Sequence, residues 1–429
     1  MCNTMKILHV LNDSLPTLCG YTIRSANIFR VQSALGMEPL AVTSPHHEPP
    51  FTLDVEVVES VRHYRTTPVP GRRVPFLHEL SAVRRMVSRI DEVVRAERPD
   101  VLHAHSPCLW GEAALRVARR RQLPFVYEIR GFWEDAAVDL GKTREGSLRY
   151  RLSRAWETRV ARRADVLATI AEHLKGDLVG RKIPADRIVL VPNGVDTQTF
   201  RPAPPDQRLL DSLDLNGRVR IGYIGTLYPW EGVEDLVRAV PHVVRRAPQA
   251  RFLIIGAGQQ ADAIRELIAR LGVGDHVHFI GKVRHEDIVS YYSILDLLVY
   301  PRRSTRNTEL VTPLKPLEAM AMEKAVLGSD VGGVRELLAE GTGLLHGAGD
   351  PVDLAEKCLA LIVDGKQRIA LGKRARAHVE ATRNWNIVGQ RYSEIYSRSI
   401  GICRRRLGQP AGPQDREPPG AAVGHRAAT

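Results

Sequence analysis

Short apolar runs alternate with longer amphipathic stretches along this chain, and the alternation occurs twice. The first half contains β-rich runs at 6–11, 39–43, 101–104, 125–129, 166–169 and 187–190, with helical patterns at 23–35, 80–96, 111–121 and 148–163. The second half begins at RVRIGYIGT (218–226) and continues through FLIIG, HVHFIG, DLLVYP and AVLGSD. Alternating strands and helices form parallel sheets with right-handed crossovers. The sequence therefore predicts an α/β protein with two doubly wound, Rossmann-like domains.

The length of the chain agrees with two domains, because 429 residues are too many for one ordinary hydrophobic core. The segment VPNGVDTQTFRPAPP is rich in Pro, Asn and Gly and is typical of an interdomain linker. We expect 5–195 to form the first domain and 200–384 the second, with a helix over 385–399 packing back on the first. Residues 401–429 are predicted to be a disordered tail.

The composition bounds the location of the protein. No run reaches the roughly 18–20 apolar residues that a membrane-spanning helix needs, and the apolar run near the N-terminus is too short for a signal peptide. The five cysteines are scattered and form no C-x-x-C pair, which indicates a reducing compartment. We therefore predict a cytoplasmic protein.

The net charge of +12 fits a nucleic acid, an anionic membrane or a phosphorylated substrate. The sequence has no helix-turn-helix, zinc-finger or aromatic RNP-like pattern, and aromatic residues make up only 6% of it. We therefore expect no nucleic-acid partner, and the other two remain open.

The stretch ELVTPLKPLEAMAMEKAVLGSDVGGVRELL (309–338) carries the strongest chemical signal. It places Lys315 and Glu318 at the start of a helix predicted over 316–322. A carboxylate at that point can accept both hydroxyls of a ribose, while Lys315 and the helix N-terminus favour phosphate. The alternative is that Glu318 only stabilises the first turn of the helix.

This stretch resembles the donor-site signature of the family 4 glycosyltransferases, which have the GT-B fold. The resemblance continues in order through ILHVLNDSLPTLCGYTIRS, DVLHAHSP, RADVLATIAEHL, VPNGVDTQTF, IGYIGTLYPWEGVEDLVRA, LIIGAGQQ and HVHFIGKV. The segments VYEIRGFWEDAAVDLGKTREGSLRYRL and YPRRSTRNTELVTPLKPLEAMA are similar to the branch associated with PEP-CTERM and exosortase exopolysaccharide gene clusters.

The resemblance implies a retaining, metal-independent hexosyltransferase. It would move a sugar from a nucleotide-diphosphate sugar to a glycan or lipid-linked acceptor in exopolysaccharide or other cell-surface polysaccharide synthesis, with no separate cofactor. Two other hypotheses fit the sequence: the protein is a nucleotide-sugar epimerase on the same fold, or it is a non-catalytic partner subunit that only binds the donor.

The resemblance also implies roles for residues on the donor side. Glu318 would hold the ribose, and Lys282 and Val283 in GKV (281–283) would line the base pocket. The position of the first glutamate of the family's pair is occupied by Leu310. Either Glu309 replaces that glutamate, or the backbone after Thr312, including Leu314, makes the contacts with the sugar hydroxyls.

The family's diphosphate-binding Arg and Lys fall, in the turn after Gly225, on Thr226 and Glu231. Arg302, Arg303 or Lys315 would then supply the missing charge, since an arginine presents a planar fork to phosphate oxygens. Each of these cations is otherwise a solvated surface residue.

In the first domain, Gly20 precedes a helix and lets backbone N–H groups approach a phosphate or sugar, or it only turns the chain. His103 and His105 in HAHS point to the same face of a strand, and His105 is nearer its carboxyl end. The resemblance implies that His105 touches the donor sugar, so His105 and Glu309 are the catalytic candidates. A histidine at a strand end is otherwise structural.

The segment YEIRGFWED follows another strand and concentrates charge. It suits the binding of acceptor hydroxyls, and one of its carboxylates could act as a base; the alternative is an interdomain ion-pair network. The acceptor-side candidates are Glu128, Arg130, Trp133, Glu134 and Asp135. No metal-ligand spacing occurs, so we expect cations and helix dipoles to stabilise the departing diphosphate.

The helical pattern at 147–165 is rich in arginine. Leu148, Leu152, Ala155, Trp156 and Val160 recur at helical spacing, with arginines over the rest of the surface. A basic amphipathic helix with an aromatic residue is typical of docking to an anionic membrane surface. The alternative is a core helix with a solvated basic face.

Overall fold

The computed structural model describes residues 4–47, 54–69 and 77–410, which contain two separate β-sheets. The strands of the first sheet are β1 (Lys6–Leu11), β2 (Glu38–Thr43), β3 (Val55–Val58), β4 (Val61–Tyr64), β5 (Val101–His105), β6 (Phe125–Ile129), β7 (Val166–Thr169) and β8 (Ile188–Leu190). Their spatial order is β3-β4-β2-β1-β5-β6-β7-β8, and every pair except the β3–β4 hairpin is parallel.

The second sheet has six parallel strands in the order β11-β10-β9-β12-β13-β14. They are β9 (Val219–Ile224), β10 (Ala250–Ile255), β11 (Val277–Gly281), β12 (Leu297–Tyr300), β13 (Ala325–Ser329) and β14 (Leu344–His346). The strand order reverses between β9 and β12, and between β1 and β5 in the first sheet. Crevices that bind ligands form beyond the carboxyl ends of strands at such reversals.

Helices cover the faces of both sheets. In chain order they are α1 (Gly20–Ala34), α2 (Leu77–Glu97), α3 (Cys108–Arg121), α4 (Trp133–Asp139), α5 (Leu148–Arg163), α6 (Glu172–Gly180), α7 (Gln207–Ser212), α8 (Val233–Val244), α9 (Ala261–Leu271), α10 (Ile288–Ile294), α11 (Arg306–Leu310), α12 (Lys315–Ala321), α13 (Gly332–Arg335), α14 (Pro351–Val363), α15 (Gly365–Thr382) and α16 (Trp385–Arg406). The fold class predicted from the alternating pattern is confirmed. Within the described ranges, no helix combines the length and the apolar character needed to cross a bilayer.

Local sequence patterns located most elements closely. The strands predicted at 6–11, 125–129 and 166–169 and the helix at 148–163 are confirmed to the residue. The β3–β4 hairpin was missed because its turn residues, Glu59 and Ser60, adopt positive φ angles of 48° and 66°. A turn of this kind normally uses Asn or Gly, and the sequence gives no such signal here.

Helix α16 joins the two halves of the chain. It starts beside the interdomain linker, where Val195 bridges to Asn384, and it packs on the first sheet. It runs to Arg406, so the prediction of disorder from residue 401 is wrong for 401–406. The reason is burial: Gly401 and Cys403 are covered by the first domain, where the Cys403 Sγ lies 3.5 Å from the Gln122 carbonyl. Residues 411–429 lie outside the described part of the chain.

Candidate active site between the two sheets

Two chambers lie in the cleft between the sheets, and Leu314 lines both. One, which we call the Glu318 chamber, has a volume of about 230 Å³ and lies against the linker. The other, the Trp133 chamber, has a volume of about 280 Å³ and lies between α4 and the loop before α12. Its polar lining comes from both domains and includes Tyr21, Ser106, Arg130, Asn193, Asn307 and Thr312.

Glu318 and Lys315 form a charged pair at the start of α12. The Glu318 carboxylate is only 7% exposed. Its two oxygens lie 2.9 and 3.1 Å from the Lys315 Nζ, and the Tyr292 hydroxyl donates to it at 3.0 Å. Pro316 in the first turn favours a helix start at this point. The arrangement holds an oriented carboxylate in one chamber with a cation beside it, as hydroxyl and phosphate recognition requires.

Both carboxylate oxygens of Glu309, the proposed catalytic glutamate, accept hydrogen bonds from protein groups, one of them at the start of α13. Its Oε2 accepts from the Gly332 N–H at 2.7 Å, and its Oε1 accepts from the Ser304 hydroxyl at 2.6 Å. A Cβ at Gly332 would lie 2.3 Å from the Glu309 carbonyl oxygen, and one at Gly333 would lie 2.1 Å from the Val311 carbonyl oxygen. The two glycines therefore allow this loop to rest on α13. A contact of Glu309 with the sugar stays a prediction.

The other donor-side candidates lie on loops beyond strand ends. Thr226 is exposed after β9, and the Tyr223 hydroxyl donates to its carbonyl at 2.8 Å. Lys282 is exposed after β11, whereas the neighbouring Val283 packs against the core of the second domain. Neither chamber includes Gly225, Thr226, Lys282 or Val283 in its lining.

Two candidates are contact points between the domains. Gly20 lines the Trp133 chamber, and a Cβ there would lie 3.2 Å from the Leu314 side chain. The Thr312 carbonyl accepts from the Asn193 side chain at 2.8 Å. Asn193 belongs to the linker and was not predicted as a site residue.

His105 lies at the end of β5 and is completely buried. Arg130 donates to its Nδ1 at 2.8 Å, which makes Nδ1 an acceptor and leaves the proton on Nε2. That Nε2 lies 2.9 Å from the Nδ1 of His9, whose Nε2 must then donate to the Gln32 carbonyl oxygen. Both ring nitrogens of His105 are therefore occupied by protein groups, and its contact with a donor sugar stays a prediction.

The same chain of hydrogen bonds continues into helix α16. The Gln32 amide donates to the Tyr396 hydroxyl at 2.6 Å, and that hydroxyl is left to donate to Nδ1 of His103 at 2.9 Å. The Nε2 of His103 lies 3.6 Å from the Glu128 carboxylate. Burial lowers the pKa of His9, His103 and His105 well below the usual range, so all three are neutral.

The acceptor-side candidates divide into three groups. Glu128 and Arg130 belong to the buried network, where the Arg130 Nε donates to Glu128 at 2.9 Å. Glu134 pairs with Arg181 at 3.0 Å and Asp135 with Arg306 at 3.1 Å. Trp133 is 45% exposed and lines its chamber.

Arg306 belongs to the second domain and also binds Asp177 of α6. Asp135 and Arg306 therefore form the interdomain ion-pair network considered as the alternative. Arg306 was not predicted as a site residue, although it lies in the arginine-rich segment YPRRSTRN.

Three buried histidines lie close together, as the ligands of a metal ion do. Ligand atoms of His9, His103 and His105 lie within 4.8 Å of one another, the one such group found among the described residues. Two nitrogens bound to a tetrahedral zinc at 2.0–2.1 Å would lie about 3.3 Å apart. The His9 and His105 nitrogens are 2.9 Å apart and share a hydrogen bond, and the Arg130 guanidinium lies beside them. The group does not fit a metal ion.

Sequence comparisons assign both halves of the chain. Residues 20–194 match the glycosyl transferase 4-like domain, and residues 218–364 match the glycosyl transferases group 1 domain.

A GDP-mannose-dependent monoacylated alpha-(1-6)-phosphatidylinositol monomannoside mannosyltransferase of Corynebacterium glutamicum is 31% identical over 217 residues. The match spans 48% of this chain and 55% of that protein, so the chain covers about half the length of this relative. A GDP-mannose-dependent alpha-mannosyltransferase of Mycolicibacterium smegmatis is 27% identical over 92% of this chain and 98% of its own.

Among solved structures, sucrose-phosphate synthase from Thermosynechococcus elongatus superposes with a TM-score of 0.75. The superposition covers 94% of this chain and 99% of that one at 20% sequence identity, which shows a common fold. Together the two domain matches cover most of the chain, which therefore belongs to the family 4 glycosyltransferases, and the superposition shows that it has the GT-B fold.

Proposed function

We propose that the protein is a retaining glycosyltransferase of exopolysaccharide or other cell-surface polysaccharide synthesis. It moves a sugar from a nucleotide-diphosphate sugar to a glycan or lipid-linked acceptor. The observation that carries the proposal is the nearly buried Glu318 carboxylate, oriented by Tyr292 and paired with Lys315 inside an interdomain chamber. Because both named mannosyltransferases depend on GDP-mannose, that sugar nucleotide is the first donor to test.

Donor recognition follows from the chemistry of this pair. The Glu318 carboxylate accepts hydrogen bonds from the two ribose hydroxyls, and Lys315 attracts the diphosphate that follows the ribose. The 3.0 Å hydrogen bond from Tyr292 holds the carboxylate before the donor arrives. Departure of the nucleoside diphosphate leaves negative charge, which nearby cations stabilise without a metal ion. In a retaining reaction the leaving phosphate assists the incoming acceptor oxygen.

The acceptor enters the Trp133 chamber. Its walls are largely apolar and include Phe132, Trp133, Ile170 and Val311, with Arg130 as a cation at one side. Trp133 offers an exposed ring on which a sugar face or a lipid chain can pack. This lining suits an acceptor that joins a polar end to an apolar body.

The test of the proposal is nucleotide binding. Thermal-shift and calorimetric titrations with GDP, UDP, ADP and their sugars should identify one base, since a ligand stabilises the fold that binds it. Glu318→Gln should weaken that nucleotide about 10- to 100-fold, because a charged acceptor of two hydroxyls is lost. Glu356→Gln, which alters an exposed ion pair with Arg246 on the second domain, is the matched control. Wild-type affinity in Glu318→Gln would remove the assignment of the ribose site.

We also propose reversible docking of helix α5 to the inner face of the membrane. Leu148 and Leu152 are 74% and 47% exposed on this helix. Exposed arginines, Arg149 and Arg151, lie beside them, and no acidic partner for either is found among the described residues. The sequence pattern predicted a single apolar face on this helix. In the structure Val160 is buried whereas Leu148 and Leu152 are exposed, so the apolar residues are divided between the core and the surface.

Vesicle co-sedimentation tests this surface. Each arginine near an anionic bilayer contributes about 1 kcal/mol, and salt screens the attraction. The double variant Arg149→Gln/Arg151→Gln should bind phosphatidylglycerol vesicles about 10- to 30-fold less than wild type at low salt. Arg208→Gln/Arg270→Gln, which removes two exposed arginines from the second domain, is the charge-matched control. Equal binding by both double variants would remove the argument for a membrane surface at α5.

A further inference from the structure

The loops after β9 and β12 contact each other through their backbones at the point where the strand order of the second sheet reverses. The Arg303 N–H donates to the Trp230 carbonyl at 2.9 Å. Gly232 adopts a left-handed φ of 66°, and a Cβ there would lie 2.1 Å from the Pro301 carbonyl oxygen. Only glycine fits this contact. The two loops therefore form one rigid unit at the place where doubly wound sheets bind ligands.

Arg302 is buried inside this unit and is only 4% exposed. Its Nη2 lies 3.3 Å from the Glu231 carboxylate, and its Nη1 donates to the Val311 carbonyl at 3.1 Å. Its Nε is buried and finds no acceptor among the residues that the structure describes. Because Val311 lines the Trp133 chamber, the guanidinium lies directly behind the wall of the cleft.

The two neighbouring arginines, Arg303 and Arg306, form ion pairs with other acidic residues. Arg303 is 43% exposed and lies 3.7 Å from both Glu234 and Asp235 in its own domain. Arg306 reaches across to Asp135 of the first domain. Of these three arginines, Arg302 alone combines burial at the reversal point with an unused N–H group.

We propose that Arg302 is the second cation of the donor diphosphate site and that Glu231 is the positioning residue that orients it. Glu231 carries negative charge and repels a diphosphate, so it acts through the guanidinium. Its carboxylate keeps one edge of the planar fork occupied, which leaves the Nε edge for a phosphate oxygen. The proposal rests on the proposed function and names which residues of this chain meet the diphosphate beside Lys315.

Paired titrations with a nucleoside diphosphate and its nucleoside test the proposal. GDP and guanosine are the first pair, replaced by the UDP or ADP pair if wild type prefers that base. Arg302→Gln should weaken GDP about 10- to 100-fold and change guanosine less than twofold, because a charged hydrogen bond to phosphate is lost. Arg302→Lys keeps the charge without the fork and should give an intermediate loss.

The ratio of the affinity for GDP to the affinity for guanosine also tests the role of Glu231. Glu231→Gln should weaken GDP about 3- to 10-fold with guanosine unchanged, and Glu231→Asp should recover part of the loss. A purely structural role would lower the unfolding temperature or weaken both ligands equally. Arg238→Gln, which removes a half-exposed arginine paired with Asp235 on α8, is the control and should leave the ratio at its wild-type value.

The outcomes separate this inference from the proposed function. If wild type binds none of the three nucleoside diphosphates, the proposed function itself fails. If wild type binds GDP and both Arg302 variants keep the wild-type ratio, Arg302 does not meet the diphosphate and this inference alone is overturned. Should Arg302→Gln fail to fold, Arg302→Lys and Glu231→Gln decide the question by the same ratio.

Discussion

Replacing Glu128 with Gln should destabilise the first domain more than any surface ion pair could. Glu128 is completely buried. It accepts from the Nε of Arg24 at 3.1 Å, from the Nε of Arg130 at 2.9 Å and from the Tyr392 hydroxyl at 2.8 Å. Burial alone would raise the pKa of Glu128, but the two guanidinium groups outweigh it and hold that pKa well below its usual range.

The magnitude follows from the charge that would be left behind. A glutamine carbonyl oxygen can still accept from the two arginines, but the negative charge paired with both guanidinium groups is lost. Removing one partner from a buried ion pair costs about 3–5 kcal/mol. We therefore expect the free energy of unfolding of the first domain to fall by about 3–5 kcal/mol.

Urea unfolding followed by tryptophan fluorescence measures this loss, and hydrogen exchange locates it. Because Tyr392 lies on α16, amides of that helix should lose protection in Glu128→Gln. The matched control is Glu112→Gln. Glu112 is equally buried, but the partner arginines, Arg116 and Arg159, are about half exposed. The control should lose only about 1 kcal/mol. Equal losses in the two variants, or a loss below 1 kcal/mol in Glu128→Gln, would refute the reasoning.

Two further predictions concern the domain interface and a buried acid. Arg306→Gln removes the ion pairs with Asp135 and Asp177 and should weaken the interdomain contact by about 1 kcal/mol. The radius of gyration measured by small-angle scattering should then increase. In the control, Arg303→Gln, the partners of the arginine lie in its own domain, so the radius should stay unchanged. Burial raises the pKa of Glu157 to about 8, so its proton stabilises the fold at low pH and that contribution is lost as pH rises from about 4.5 to 8. Glu157→Gln stays neutral and should gain about 2 kcal/mol relative to wild type between pH 6 and pH 7.5 in denaturant unfolding, and a constant difference would contradict the raised pKa.

Local patterns predicted the fold because they report short-range structure. Apolar runs and 3.6-residue periodicity located β1, β6, β7 and α5 to the residue. The end of α16 was misjudged because the composition beyond residue 400 is typical of a disordered tail, whereas Gly401 and Cys403 are buried against the first domain. Element order is therefore readable from the sequence, and element ends depend on what covers them.

The candidate site was readable only where its members are close in sequence. Lys315 and Glu318 lie three positions apart on a helix, so their pairing at 2.9 Å follows from helical geometry. His105 could not be assessed in this way. Its two ring nitrogens bind Arg130 and His9, which lie 25 and 96 positions away along the chain.

The sequence by itself determined two doubly wound domains and the charged start of the helix that carries Glu318. Periodicity and helix-start signals are properties of neighbouring residues, which explains that success. The tertiary structure decided the partners of the charged side chains. It assigned Asp135 to Arg306 across the domain interface and buried Glu128 between two arginines. A charge pairs with whatever the fold brings within about 4 Å, and that neighbour is set by how the sheets and helices pack.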